Sequence, residues 1–224
     1  MASKLIPRIR HFGDNGILIC YDVKGYSETA CKTVHALGDI LRGQENIWTN
    51  VIPAYDSLMV TFNPMETEAS AALHKVEEAY EKISKRLPKA KANIVEIPVY
   101  YGGESGPDMQ NICKSSKLSE DQVIKRHSKI TYRVCLMGFI PGFAFLSETD
   151  KKLHHPRHET PRGLVPPGSI GIANWQTGIY GLESPGGWQI IGRTPLSVFD
   201  PKRENPFALK AGDMIRFVPQ GAPS

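Results

Sequence analysis

Hydrophobic and polar positions follow two different periods in the first part of the chain. Alternation with a period of two predicts four strands, which lie at 6–12, 16–22, 47–52 and 57–62. Apolar residues at helical spacing predict one helix between a Ser27 cap and Gly43 and a second helix over 66–87. The apolar stripe predicted for the second helix comprises Ala69, Leu73, Val76, Tyr80, Ile83 and Leu87. The order β-β-α-β-β-α is typical of a small α/β sandwich with helices on one face of an antiparallel sheet.

The second part of the chain has a different pattern. A short basic stretch at 88–92 predicts a linker, and we therefore expect an N-terminal α+β domain over 1–88 and a second domain over 93–224. Residues 94–101 alternate as a strand, Asp108 is placed to cap a helix over 109–114, and Ser119 with Gln122 forms a capping box for another helix.

The stretch 161–201 is dense in Gly and Pro, yet it carries short apolar runs at Ser169–Ala173 and Trp188–Ile191. Short strands joined by turns of this kind are typical of a small barrel or sandwich. Polar residues sit on or beside these turns, and loops held by a rigid sheet often carry sites. The members of this set are Arg162, Gln176, Thr177, Ser184 and Arg193. We therefore expect the functional surface here.

Composition and charge exclude some classes of protein. Lys and Arg number 27 against 23 Asp and Glu, which is too weak a basic excess to indicate nucleic-acid binding. The four cysteines stand far apart without a CxxC motif, as expected of a reduced cytosolic protein. The sequence has no signal-peptide core and nothing near the ~18 apolar residues of a membrane span. We expect a cytoplasmic protein with no membrane contact.

Two residues are candidates for proton transfer. Glu104 follows Gly102-Gly103, a turn that presents its carboxylate, but the run lacks the GK[ST] of a nucleotide-binding P-loop. His127 lies near the predicted end of a helix, where the helix dipole favours a charged imidazole. It is either a capping or packing residue or a polar group that points into a pocket.

A metal site is the obvious interpretation of His154, His155 and His158, but the pattern does not support it. Pro156 blocks the helix that would align the rings, and no other ligand stands at a familiar spacing, so no metal is predicted. Arg157 and Arg162 each adjoin a Pro, and a rigid backbone aims a guanidinium at a carboxylate or phosphate. The alternative for both is a salt bridge inside the barrel.

The aromatic run 138–146 has two Gly-Phe pairs and a Pro, so it cannot form a regular helix. Its rings, Phe139, Phe143 and Phe145, either line an apolar groove for a partner or close a core.

Many motifs in a fixed order resemble the allophanate hydrolase subunit 1 family, also called the carboxyltransferase subdomain C and D family. They are VIPAYDSLMVTFNP (51–64), PVYYGGESGPDM (98–109), LSEDQVIKRHSKITYRV (118–134), GFIPGFAFL (138–146), PR (156–157), PRGLVPPGSIGIA (161–173), QTGIY (176–180), SPGGWQIIGRTPLSVFDP (184–201) and GDMIRFVP (212–219). The likeness covers nearly the whole chain. Asn174-Trp175 stands where a Gly is common, and Gly181 stands where a Pro usually follows QTGIY; both alter the edge of the expected pocket.

The resemblance implies an α+β protein in which a C-terminal cyclophilin-like β-barrel follows the small N-terminal domain. In the 5-oxoprolinase branch of the family it implies a non-autonomous subunit that opens 5-oxoproline to glutamate, with ATP and Mg at the level of the complex and no ATP site in this chain. The implied partners are a homologous subunit 2 or C-type protein and an A-type subunit.

The resemblance also implies the site residues. Glu104, His127 and Arg162 would be catalytic, and Arg157, Gln176, Thr177 and Arg193 would bind substrate. Two other functions remain open: a binding module that inhibits a sensor histidine kinase through the aromatic groove, and a subunit of an allophanate or urea-type amidolyase.

Overall fold

The computed structural model of the chain describes residues 6–44, 46–85 and 94–221. They belong to two compact units, one within 1–91 and the other within 92–224. The predicted linker and the predicted domain limits at 88 and 93 lie outside the described residues, so they stay a prediction. In the part of the chain that is described, no helix is long and apolar enough to cross a membrane.

The first unit is an antiparallel sheet with two helices. Its elements are β1 (Arg8–Phe12), β2 (Gly16–Cys20), α1 (Glu28–Arg42), β3 (Trp48–Pro53), β4 (Ser57–Phe62) and α2 (Ala69–Lys85), and the strand order is β1-β2-β4-β3. The Ser27 hydroxyl accepts from the amide of Ala30, which satisfies one of the free donors at the start of α1. The predicted β-β-α-β-β-α order is confirmed.

The core of this unit lies between the sheet and the two helices. The α1 residues Ala30, Val34, Leu37 and Leu41 are buried there, as their spacing predicted. In α2 the fully buried face contains Ala72 and Ala79 beside Val76 and Ile83, so the stripe is rotated toward small residues that the pattern did not single out. Small side chains let a helix pack close to the sheet, and their weak hydrophobicity hides them from the sequence pattern.

The second unit is a closed barrel with helices and a separate ribbon. Its elements are β5 (Ile94–Tyr101), α3 (Met109–Ser116), α4 (Glu120–Ser128), β6 (Thr131–Met137), β7 (Ala144–Glu148), β8 (Arg162–Val165), β9 (Ser169–Ala173), β10 (Gln176–Ile179), β11 (Ser184–Gly186), β12 (Gln189–Arg193) and β13 (Met214–Pro219). The barrel order is β10-β7-β6-β13-β5-β12-β9, and β13 pairs with β5 in parallel. The predicted α+β class with a C-terminal barrel is confirmed.

The strands β8 and β11 pair only with each other and form a two-stranded ribbon outside the barrel. Arg162 lies opposite Gly186 and Val165 lies opposite Ser184, with an irregularity between the two pairs. The ribbon therefore carries Arg162 on a strand that has few backbone bonds to hold it.

The two barrel helices differ in how they begin. At α4 the predicted capping box is present, because the Ser119 hydroxyl accepts from the Gln122 amide and the Gln122 side chain accepts from the Ser119 amide. At α3 the cap prediction is wrong: Asp108 occupies the N-cap position, but its side chain makes no capping bond. The carboxylate is turned toward β12 and the ribbon instead.

Candidate functional site

A buried carboxylate joins the ribbon to the barrel. Asp108 Oδ1 accepts from Arg162 Nη2 and lies 3.3 Å from His158 Nε2, while Asp108 Oδ2 accepts from the Ile190 amide at 2.7 Å. A further contact of 3.2 Å joins Arg162 Nη1 to His158 Nε2. The side chain of Asp108 is 4% exposed, whereas those of Arg162 and His158 are 32% and 24% exposed. Arg162 thus connects the interior to the surface.

The electrostatics of this cluster favour an ionised carboxylate. Burial by itself raises the pKa of Asp108, but hydrogen bonds from Arg162, Ile190 and His158 and the charge of Arg162 outweigh it and hold the pKa below its ordinary value. Asp108 therefore keeps its negative charge at neutral pH and fixes one edge of the guanidinium. The predicted alternative of a salt bridge is present for Arg162, and part of its side chain stays open to solvent.

Arg157 lies close to this cluster but is exposed. Its guanidinium carbon lies 6.0 Å from the centre of the Trp188 ring, a weak cation–π contact. Gln189 bridges the segment to the barrel, because its side chain donates to the Pro156 carbonyl at 3.2 Å and accepts from Asn111 at 3.0 Å. The two arginines singled out by their Pro neighbours therefore lie in one region of the second unit.

The hydroxyl of Tyr180 is buried beneath the ribbon and has no hydrogen-bond partner among the described residues. Burial raises its pKa to about 12, against the charges of Arg157 and Arg162 and the nearby Trp188 amide, which lower it. That amide is near enough to act on the pKa but is not in hydrogen-bond geometry. A Cβ on Gly186 would lie 2.4 Å from the hydroxyl, so only a glycine leaves room for it.

His127 and Thr177 lie in a different place, inside the barrel. His127 Nδ1 lies 2.8 Å from the Tyr101 hydroxyl, and Nε2 lies 2.9 Å from the Thr177 hydroxyl, which donates to the Gly171 carbonyl. The ring stacks on Phe217, and burial lowers the pKa of His127 to about 3. The sequence expectation needs correction here: both side chains are buried, and their polar groups already have internal partners, so neither contacts a substrate in this conformation.

Arg193 borders a cavity of about 490 Å³ at the other end of β12. Its Nε donates to the Pro167 carbonyl at 2.9 Å, and its side chain is exposed. Ser105 also lines the cavity, and it ends the short 3-10 helix Gly103–Ser105 that carries the exposed Glu104. The predicted roles of Arg193 and Glu104 stay predictions, and the cavity is where solvent reaches both segments.

The two departures from the family pattern lie at turns. Asn174 and Trp175 form the two-residue loop between β9 and β10, and Asn174 has a φ of 53°, a conformation that favours Gly and tolerates Asn. Gly181 borders the cavity, and a Cβ there would lie 2.4 Å from the Pro141 carbonyl oxygen. Gln176 follows the loop as the half-buried first residue of β10 and lies opposite Glu148.

The aromatic run divides between surface and core. Phe139 is 66% exposed and has a φ of 71°, a strained conformation for a bulky residue, whereas Phe143 is 1% exposed. Phe143 packs on Tyr180 and Trp188, and Phe145 is half-buried against Trp188. The predicted groove of three rings is corrected for Phe143, which closes a core; Phe139 borders a second cavity of about 340 Å³.

No three His, Cys, Asp or Glu side chains gather as a metal set within 6–44, 46–85 and 94–221. The turn after β5 does not fit a phosphate either. Its Gly102 amide donates to the Ile191 carbonyl, and its Gly106 amide donates back to Gly102, so these donors are already used. We derive no step through a nucleotide bound to this turn.

Sequence analysis missed Asp108, His158 and Tyr180 as site residues. Asp108 has the local pattern of a helix cap, and its partner Arg162 is 54 residues away. His158 stood out only as a possible metal ligand, and Tyr180 only as part of a family motif. Each owes its position to contacts between distant segments, which no local spacing reveals.

Comparisons with known proteins agree on one family. The family described as carboxyltransferase domain, subdomain C and D, matches residues 7–209. The chain is 41% identical over 189 residues to the B-type subunit of 5-oxoprolinase from Escherichia coli O157:H7, covering 84% of this chain and 85% of the relative. It is 37% identical over 222 residues to the corresponding 5-oxoprolinase protein of Bacillus subtilis (strain 168), covering 94% and 92%.

A solved structure is also similar. The protein TTHA0988 matches with a TM-score of 0.80 and 35% identity over 96% of this chain. The match spans only 41% of the solved chain, so similar sequence there forms part of a much longer polypeptide.

Proposed function

We propose, because this chain belongs to the carboxyltransferase subdomain C and D family, that it is a non-autonomous subunit of an ATP-dependent 5-oxoprolinase. Such a complex opens 5-oxo-L-proline to L-glutamate. The observation that carries the proposal is the identity of 41% and 37% to proteins named as the B-type subunit of 5-oxoprolinase, sustained over most of both chains.

The charge distribution of the barrel supports a substrate of this kind. 5-Oxoproline carries a carboxylate next to its lactam ring, and an arginine fork matches a carboxylate in two-point fashion. Arg157 is exposed, and Arg162 is partly exposed while Asp108 holds one of its edges. Both arginines are therefore placed to bind an anion. Arg193 and Gln176 are proposed as further substrate contacts.

The proposed reaction needs activation because a five-membered lactam resists hydrolysis. A phosphorylated intermediate would activate the carbonyl, and cationic groups stabilise the charge that develops on its oxygens. For proton transfer we propose Glu104, which is exposed near the larger cavity, rather than the buried His127.

Partners are part of the proposal. A homologous C-type subunit and an A-type subunit complete the enzyme, and ATP with Mg²⁺ binds at the level of the complex, in the cytoplasm. Two observations support this division. The amides of the Gly102–Gly106 turn are already used, and similar sequence in TTHA0988 belongs to a chain more than twice as long.

Reconstitution tests the proposal. The purified chain is mixed with the C-type and A-type subunits from the same source, and ATP-dependent release of glutamate from 5-oxo-L-proline is measured. We expect turnover that disappears when this chain or ATP is omitted. A stable three-protein complex without turnover would count against the proposed substrate.

A second candidate function is binding to a protein without turnover, including inhibition of a sensor histidine kinase. Phe139 favours it, because a 66% exposed ring held at positive φ is the kind of strained, apolar feature found at recognition sites. Autophosphorylation of a sensor kinase, measured with the wild-type chain and with Phe139→Ala, tests this function. Inhibition that needs Phe139 would support it.

A further inference from the structure

The proposed function makes no use of a group of side chains beneath the β8–β11 ribbon. They are Asp108, His158, Tyr180 and Ser184, and they surround Arg162. Two of them, Tyr180 and Ser184, are buried and have hydroxyl oxygens without a hydrogen-bond partner among the described residues. A buried hydroxyl without a partner costs free energy, so such groups in a folded protein call for an explanation.

Arg162 is oriented from two sides, which leaves part of its donor capacity unused. Asp108 accepts from Nη2, and His158 lies 3.2 Å from Nη1. A guanidinium has five N–H donors in a planar fork, and these two contacts occupy only part of them. With 32% of the side chain exposed, the remaining donors can meet an anion from solvent without breaking the contact to Asp108.

Tyr180 supplies a neutral donor next to these charges. Its phenol stays protonated at neutral pH, and both Arg157 and Arg162 are near enough for their charges to act on it. Gly186 covers the hydroxyl, and Gly186 is directly opposite Arg162 in the ribbon. A single backbone layer without a side chain therefore separates the Tyr180 hydroxyl from Arg162.

The ribbon is the part of the barrel unit that can yield most easily. It shares no ladder with the closed barrel, and its two register pairs are separated by an irregularity. A small shift of Gly186 opens a path to the hydroxyl, whereas a shift of β9 or β12 would break the barrel. The absence of a side chain at Gly186 makes that shift sterically simple.

We infer that Arg157, Arg162 and the Tyr180 hydroxyl form a binding site for the carboxylate of a small substrate, with Asp108 and His158 as the residues that position Arg162. The carboxylate accepts from the two guanidinium groups on the exposed side of the ribbon. The Tyr180 hydroxyl donates to it once Gly186 moves aside. Within the proposed function, on which the choice of substrate rests, this carboxylate is that of 5-oxo-L-proline.

The first test is kinetic and uses the reconstituted complex. Removing a donor to a charged acceptor weakens binding by about tenfold or more. We therefore expect Tyr180→Phe and Arg157→Gln each to raise the KM for 5-oxo-L-proline about tenfold with little change in kcat. Matched controls are Tyr132→Phe, a buried hydroxyl with internal partners, and Arg203→Gln, an exposed arginine elsewhere in the barrel unit.

The positioning role of His158 has its own readout. His158→Ala should raise KM because Arg162 loses a neighbour on its Nη1 side, and His158→Gln should restore part of the loss through its side-chain oxygen. A merely structural role would lower the melting temperature of both variants without this difference in KM. Wild-type KM in the Tyr180, Arg157 and His158 variants would overturn the inference and leave the proposed function intact.

The second test separates the anion from the reaction. Calorimetry of the full chain uses four probes: 5-oxo-L-proline, cyclopentanecarboxylate, 2-pyrrolidinone and inorganic phosphate. Heats from the two carboxylates that vanish in Tyr180→Phe and Arg157→Gln would support the site, even if the complex fails to turn over 5-oxoproline. Binding of phosphate alone, or of 2-pyrrolidinone as strongly as 5-oxo-L-proline, would overturn the assignment to a carboxylate, as would no binding in a complex without turnover.

Discussion

Two histidine clusters of the barrel unit use the same kinds of groups in opposite ways. Around His127 both ring nitrogens have hydroxyl partners, and the whole ring is buried. Around His158 the ring and Arg162 stay partly exposed above the buried Asp108. The comparison teaches that burial of a polar group does not by itself separate structure from function. What separates the clusters is the number of donors left after the internal partners are counted.

The largest expected effect on stability comes from removing the carboxylate that anchors the exposed cluster. Asp108→Ala leaves Arg162 and the Ile190 amide without their acceptor, and loss of one partner of a buried ion pair costs about 3–5 kcal/mol. Urea unfolding measures the loss. Asp22→Asn breaks an exposed pair with Arg8 and should cost below about 1 kcal/mol. Equal losses in the two variants would contradict the anchoring role.

The interior cluster is expected to respond to pH. The pKa of His127 is about 3 in the folded state, whereas an unfolded histidine has a pKa of about 6.5. The unfolded chain therefore binds a proton that the native chain does not. Stability falls as the pH drops below about 6.5, and the loss is complete near pH 3; by pH 5 it amounts to about 2 kcal/mol.

His127→Gln isolates this contribution. The free energy of unfolding is compared between pH 7 and pH 5 in both proteins, so that the other histidines cancel in the difference. We expect the wild type to lose about 2 kcal/mol more than the variant. The same loss in both proteins would mean that the His127 ring takes up a proton in the native state.

A pair of Tyr→Phe changes compares the hydroxyls of the two clusters. The Tyr132 hydroxyl donates to the His127 carbonyl at 2.9 Å, so Tyr132→Phe should cost about 1 kcal/mol. Tyr180→Phe removes a hydroxyl that has no partner among the described residues, so its stability should stay within about 0.5 kcal/mol of the wild type. Thermal unfolding checks both values, and a larger loss for Tyr180→Phe would show that the hydroxyl is satisfied internally.

The smallest effect on stability is expected at the exposed edge of the cluster. Arg157→Gln removes a charge that makes a weak contact with Trp188, so the melting temperature should barely change. The same variant is expected to weaken substrate binding, so its effects on stability and on KM differ sharply. A clear drop in melting temperature would instead assign Arg157 a structural role.

Much of the fold could be predicted because local signals carried it. The four strands and two helices of the first unit follow from periodicity and from caps such as Ser27, and the Ser119–Gln122 box fixes the start of α4. The order of strands in the barrel could not be predicted in the same way, because most of its ladders join segments that are far apart in sequence.

The candidate site was predicted only in part, for the same reason. Proline neighbours drew attention to Arg157 and Arg162, and rigid backbone at such positions is a local property. Asp108 was assigned to a cap because an aspartate before a helix satisfies a local rule, and its turn toward Ile190 and Arg162 overrides that rule. His127 was predicted from its place on a helix, although the helix buries it against Phe217.

The parallel pairing of β13 with β5 sets the folding order of the second unit. Ile94 pairs with Met214, so about 120 intervening residues must be looped before this ladder forms. Until then β5 and β6 each have an open edge, which is a template for pairing with other chains. The hairpins of the first unit are local and carry no such delay. During synthesis the first unit can therefore fold as soon as it emerges, while the barrel waits for its last strand.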